Sequence, residues 1–286
     1  MAETEDLAGY DNMFWTRLIS GVVLIIIAVV VLWFGGPLTG LVTLFLSLVG
    51  VFELCRVYEI EKKAPAILAY IWTTIYYLLL ILGRQKVLGI AASDLVVPVM
   101  IIYLLIMLVI YVAKFPEYHD KEIMAAFTAF FYVAVMLSYL YRIRTMQNGG
   151  YLVILVFVCS WGNDTLAYCV GRLFGKHKMS PVLSPKKSVE GLFGGIIGAG
   201  LLGVLYALLL GKHLKPIPHL YIAMFFICAI GAIPAVIGDL AASAIKRNNE
   251  IKDYGTLIPG HGGVLDRFDS MIFTAPIIYY LIQFVY

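Results

Sequence analysis

"LISGVVLIIIAVVVLWFGGPLTGLVTLFLSLVGVFEL", residues 18–54, decides the fold class. Two apolar runs flank Gly35, Gly36 and Pro37, and each approaches the roughly 20 residues a helix needs to cross a hydrocarbon layer of about 30 Å. A lone strand in lipid would leave its N–H and C=O groups unpaired, so the runs are read as helices. The link "GGPLT" (35–39) is so short that the two helices must form an antiparallel hairpin. Runs of the same kind recur along the chain, at about 18–34, 38–54, 66–83, 93–113, 123–141, 151–170, 192–211, 218–238 and 268–286.

Composition agrees. The chain is 62% hydrophobic and 14% charged, with a mean hydropathy of +0.91, whereas soluble domains are about one quarter charged. The expectation is an all-α, polytopic integral membrane protein with about nine transmembrane helices. No long polar segment or linker divides it, so residues 1–286 are expected to form one membrane domain. Within it, an N-terminal helical half (about 13–150) precedes a motif-bearing half (about 151–286). The acidic start "MAETEDLAGYDN" lacks the basic region of a cleaved signal, so the first span is expected to be retained.

Fifteen of the 21 Lys and Arg residues fall on the side holding the N-terminus and the links after spans 2, 4, 6 and 8. By the positive-inside rule that side is expected to be cytoplasmic. The net charge of +3 matters less than where the charges lie, and no nucleic-acid partner is expected. Cys55, Cys159, Cys169 and Cys228 sit in or beside apolar runs without CxxC spacing and are read as small core residues.

Two polar islands interrupt the apolar pattern on the cytoplasmic side. The first runs from Trp161 to Gly195, and its Asp164 lies at the end of an apolar span, where an isolated carboxylate needs a partner or a wet cavity. "SPKKSVEG" (184–191) reads as a turn at Ser184-Pro185 leading to a helix capped near Ser188 and Glu190. Its cations read either as a headgroup-touching anchor or as an anion-binding loop. "GRLFGKH" is not a phosphate-binding loop, because it has three rather than four residues between its glycines and His177 follows the lysine. The GxxxG spacings at Gly191/Gly195 and Gly194/Gly198 predict close helix packing.

The second island, "DLAASAIKRNNEIKDYGTLIPGHGGVLDRFDS" (239–270), places Ser243, Lys246, Arg247 and Glu250 along one side of a helix. Pro234 upstream predicts a kink. Pro259, Gly260, Gly262 and Gly263 make a turn whose bare backbone can approach a ligand. Asp266 and Asp269, three apart, share a helix face, and Asp239 stands at the mouth of the preceding span. Three converging carboxylates repel one another unless a cation intervenes, and hard oxygen ligands suit Mg²⁺. Lys246, Arg247, Lys252 and Arg267 offer positive charge to phosphate. Acids for a metal beside bases for phosphate form a phosphoryl-transfer composition.

At these positions the chain resembles the phosphatidate cytidylyltransferases, or CDP-diacylglycerol synthases. Their signature is matched by Ser243, Lys246-Arg247, Lys252-Asp253, His261-Gly262-Gly263, Val264, Asp266-Arg267, Phe268 and Asp269. The first island is similar to the family's at Asp164, Ala167-Tyr168, Gly171-Arg172, Gly175-Lys176 and Ser184 to Gly191.

The resemblance implies attack by phosphatidic acid on the α-phosphorus of CTP, giving CDP-diacylglycerol and pyrophosphate, with Mg²⁺ required, alone or with a second cation. It also implies a homodimer in the lipid membrane. Asp239, Asp266 and Asp269 are then expected to hold the metal, with Lys252 and His261 counted among the catalytic residues. Ser243, Lys246, Arg247, Arg267, Gly262 and Gly263 would bind substrate, as would Lys186, Lys187 and Ser188. His261 reads equally well as a phosphate donor, an acid toward pyrophosphate or a structural hydrogen bonder.

Two other classes compete. A CDP-alcohol-type transferase would need an Asp-Gly, Ala-Arg pattern that is missing, since Leu240 follows Asp239. A transporter would place its acids near the bilayer midplane rather than at one interface.

Overall fold

The computed structural model describes residues 2–83, 85–87, 89–214 and 217–285. Arg84, Lys215 and Tyr286, which entered the expected charge balance and the ninth span, lie outside them. Among the described residues eight helices are long and apolar enough to cross a membrane. They are α2 (Gly36–Val57), α3 (Ala64–Leu82), α4 (Ala92–Ala113), α5 (Asp120–Arg144), α6 (Gly149–Phe174), α7 (Val189–His213), α8 (Leu220–Asn248) and α9 (Leu265–Val285). The protein is an integral membrane protein. The first expected span, 18–34, falls on α1 (Ala2–Phe34), whose apolar stretch, Ile19–Phe34, is shorter than the eight spans.

The opening hairpin forms as its glycines require. Gly35 has φ +64°, and Pro37 follows in the first turn of α2, where its missing N–H costs nothing. Arg144 reaches back from α5 to donate to the carbonyls of Leu32 (2.8 Å) and Trp33 (3.3 Å) at the end of α1. A Cβ at position 35 would fall on the Arg144 guanidinium. Gly35→Ala is therefore expected to cost about 1–3 kcal/mol in backbone strain alone, seen as a lower thermal midpoint in detergent.

The interior of the N-terminal half is aromatic. Tyr76, Tyr77, Tyr103 and Phe130 are fully buried, with Tyr103 and Phe130 centroids 4.5 Å apart. Their hydroxyls are satisfied across helices: Tyr77 with Ser47 (2.7 Å), Tyr76 with Ser138 (2.9 Å), and Tyr103 donating to the Ala126 carbonyl (2.9 Å). α4, by contrast, exposes Val97, Ile101, Leu105, Val109 and Val112, the apolar surface that lipid covers.

In the second half α7 lies between α6 and α8. A Cβ on Gly194, Gly195 or Gly198 would collide with Val170, Asn163 or Leu166 of α6, and on Gly200 or Gly203 with Phe225 or Cys228 of α8. Gly194, Gly195 and Gly198 let α6 and α7 close up, as the GxxxG spacing predicts, and Gly200 and Gly203 do the same toward α8. α8 runs on to Asn248, ten residues past its expected end, with Pro234 inside it.

The turn expected at Ser184-Pro185 needs correction. β3 (Lys178–Ser180) and β4 (Ser184–Ser188) form an antiparallel hairpin, and the turn falls at residues 181–183. Pro185 is tolerated in β4 because a two-stranded ribbon has open edges. Another two-stranded ribbon, β1 (Lys86–Val87) with β2 (Ile90–Ala91), joins α3 to α4.

Candidate active site

Alternating helix direction brings links 58–63, 114–119, 175–188 and 249–264 to one end of the bundle. Cross-links there include the Lys63–Glu122 ion pair and Lys121 over the Tyr58 ring. Midway along α5 and α6 the helices pass through π-helical turns, Ala129–Val135 and Val158–Gly162, wider turns that recur at functional sites. The first carries Tyr132, and the second delivers Asn163 and Asp164.

Asp164 from α6, Asp239 from α8 and Asp269 from α9 act on one another as like charges. Asp269 is 9% exposed. Ser270 bridges two of them, its hydroxyl 3.3 Å from both Asp164 Oδ2 and Asp269 Oδ1 while its amide donates to the latter at 2.7 Å. Lys187 of β4 pairs with Asp239, and its charge also acts on Asp164. Tyr132 Oη is buried without a hydrogen-bond partner among the described residues, within electrostatic reach of Asp239 and Asp269. An orphaned buried hydroxyl beside clustered carboxylates suits a site that receives a ligand.

Asp266 behaves differently from Asp269. Its side chain is 3% exposed, and both oxygens are engaged. Lys246 donates to Oδ1 (2.8 Å), and the amides of Tyr254 (2.7 Å) and Gly263 (2.9 Å) donate to Oδ2. Asp266 thus ties the glycine loop to α8. Tyr254 is the loop's buried bolt: its hydroxyl donates to the Ala242 carbonyl (2.9 Å), and the Lys246 ammonium lies 5.3 Å from its ring centroid. Burial pushes its phenol well above the usual range, so it remains a donor. Glu53 of α2 accepts from the amides of Val264 (3.0 Å) and Leu265 (2.9 Å).

The remaining expected residues divide by burial. Arg247, Lys252 and Lys186 are exposed around the rim. Ser243 Oγ lies 3.5 Å from Asp239 Oδ1, while Ser188 caps α7 by accepting from the Gly191 amide (3.1 Å). Arg267 donates to the His261 carbonyl (2.9 Å), and His261 Nδ1 lies 2.8 Å from Ser20 Oγ of α1. Gly262 has φ +86° and packs on Asp266, while Gly263 packs on the Glu53 carboxylate.

The expected trio of Asp239, Asp266 and Asp269 is thus rearranged. Asp164 joins the cluster, and Asp266 organises the loop. Asp164 was legible as an intramembrane acid, and Glu53 carries the same signal within "VFELCR". Tyr132 leaves no mark in the sequence, because a π turn has none.

Among the described residues no three His, Cys, Asp or Glu side chains are grouped to hold a metal by themselves. Mg²⁺ ordinarily takes one or two carboxylates and completes its shell with water and phosphate oxygens. The all-oxygen donor set around Asp239 and Asp269 fits that habit. Beside it lies a cavity of about 680 Å³, its apolar wall formed by α1 and α2 residues such as Leu24, Ala28 and Leu46. Asp164, Asp269, His261 and Arg267 line its polar end.

The model of the cytidylyltransferase family matches residues 15–285. A phosphatidate cytidylyltransferase of Bacillus subtilis (strain 168) is 39% identical over 155 residues, 53% of this chain and 55% of the relative. One from Rickettsia prowazekii (strain Madrid E) is 44% identical over 140 residues, 47% of this chain and 60% of the relative. One from Rickettsia bellii (strain RML369-C) is 33% identical over 187 residues, 63% and 80% respectively. The chain spans little more than half the length of the Bacillus relative it matches.

Proposed function

The chain belongs to the cytidylyltransferase family, and on that premise we propose that it transfers CMP from CTP to phosphatidic acid, forming CDP-diacylglycerol and pyrophosphate. The observation that carries the reading is the cluster of Asp164, Asp239 and Asp269, with Lys187 and Lys246 beside it, of which Asp164 and Asp269 also line a cavity whose wall is largely apolar. A lipid phosphate and a nucleotide triphosphate can meet only where an apolar surface adjoins a polar, cation-rich one. The names of the relatives agree with this assignment.

In the proposed reaction a phosphate oxygen of the lipid forms a bond to the α-phosphorus of CTP. The bond from that phosphorus to the β-bridging oxygen breaks, and pyrophosphate leaves. The lipid phosphate is already largely ionised at neutral pH, so no protein nucleophile is required. Asp239 and Asp269, with Asp164 beside them, would hold Mg²⁺, which when bound supplies positive charge against the phosphates.

The chain's own residues do the rest by charge and alignment. Lys187 and Lys246 stand beside the acids, Arg267 lines the cavity, and the exposed Lys252, Arg247 and Lys186 surround its mouth. Lys187 is poised to exchange its Asp239 partner for a phosphate. Tyr132 Oη is a spare donor facing the acids. The acidic end of the bundle carries the basic links, so it is assigned to the cytoplasmic face of a bacterial inner membrane, where CTP is found.

The test is to add radiolabelled CTP, phosphatidic acid and Mg²⁺ to purified protein in detergent. The expected product carries label into the lipid phase and depends on all three additions. Label that stays in the aqueous phase overturns the proposal.

A further inference from the structure

We propose that Glu53, in the N-terminal half, is a positioning residue that sets where α9 begins, and with it Asp266 and Asp269. The role rests on the activity proposed above.

Glu53 is 3% exposed in an apolar helix, where a carboxylate persists only if it is well hydrogen bonded. Each of its oxygens accepts one backbone amide, Oε1 from Val264 (3.0 Å) and Oε2 from Leu265 (2.9 Å). These amides open α9, whose first N–H groups have no intrahelical acceptor and whose positive dipole end favours a carboxylate. The fit is close on both sides of the loop, because a Cβ at Gly255 or Gly263 would fall on the Glu53 carboxylate. Three residues further along α2, Arg56 donates to the Tyr254 carbonyl (2.5 Å). One helix therefore grips both ends of the 254–264 loop.

An ordinary cap comes from a residue beside the helix start. Glu53 comes from 211 residues away, so it holds α9 relative to the other half of the protein. The consequence reaches the chemistry through the next residues. Asp266 follows Leu265 directly and holds Lys246, Tyr254 and Gly263. Asp269 lies one turn further on. A slip in the first turn of α9 would displace both acids against Asp239 and Asp164, which stand on other helices.

The test compares Glu53→Gln, which keeps the shape and one acceptor, with Glu53→Ala and Gly263→Ala, the last pushing on an intact Glu53. Folded protein is quantified, kcat and KM for CTP are measured by the labelled-lipid assay, and amide exchange is followed at Val264 and Leu265. We expect kcat per folded molecule to fall by about 10-fold in Glu53→Gln and on the order of 100-fold in Glu53→Ala. KM should stay within about twofold, and exchange at both amides should quicken. Gly263→Ala should show the same kcat-selective loss. If activity merely tracks the folded fraction, with kcat per folded molecule unchanged, Glu53 is only structural and the proposal falls. A wild-type protein that makes no labelled lipid overturns the activity instead, and the exchange rates still decide whether Glu53 holds the start of α9.

Discussion

Asp269→Asn is expected to lower the rate of lipid labelling by at least about 1000-fold, which corresponds to losing about 4 kcal/mol of transition-state stabilisation. Asparagine has nearly the same shape, and its carbonyl can still accept from the Ser270 amide, as Asp269 Oδ1 does at 2.7 Å. What disappears is one negative charge from a group of three that repel one another. Stability should therefore hold or rise slightly while activity is lost, the trade-off expected of a site strained for function. Asp239→Asn should behave in the same way. The measurement is labelled CDP-diacylglycerol formed per folded molecule, together with the thermal midpoint. Near-wild-type rates in both variants would remove the carboxylate cluster from the mechanism.

Asp266→Asn should fail differently. Removing the charge from this 3%-exposed side chain leaves the Lys246 ammonium, itself 16% exposed, without its carboxylate. Breaking a buried ion pair from one side costs about 3–5 kcal/mol. The asparagine amide would also face the Tyr254 and Gly263 amides, which now share one carboxylate oxygen. We expect a large drop in thermal midpoint, with activity declining alongside it. Adding Lys246→Met should restore part of the stability, because the uncompensated ammonium is then gone. It should not restore activity. A single variant as stable as the wild type would contradict the loop-organising role of Asp266.

These two aspartates lie three residues apart, and at helical spacing they look equivalent. Sequence reasoning accordingly assigned both to a metal. The structure separates them because α9 begins at Leu265. Asp266 stands in its first turn and faces the loop amides, whereas Asp269 faces α6 and α8. The glycines show a similar division. Gly194, Gly195 and Gly198 could be read as a packing face from spacing alone. The use of Gly263 could not, since the group it accommodates belongs to Glu53 in the other half. For the basic residues, the sequence identified Lys187 and Lys246 among many cations, and burial then distinguished them from exposed Arg247, Lys252 and Lys186.

What the sequence determined by itself was the helical membrane architecture and the approximate positions of eight spans among the described residues. Hydrophobic length and the need to satisfy backbone groups in lipid act within a single segment, so each span can be read in isolation. Only the tertiary structure decided which acids meet. A carboxylate below the membrane surface takes its partners from other helices, as Glu53 does from Val264 and Leu265 and Asp164 does from Ser270. Those pairings depend on how helices pack and where π turns rotate their faces, and no periodicity within one span encodes either.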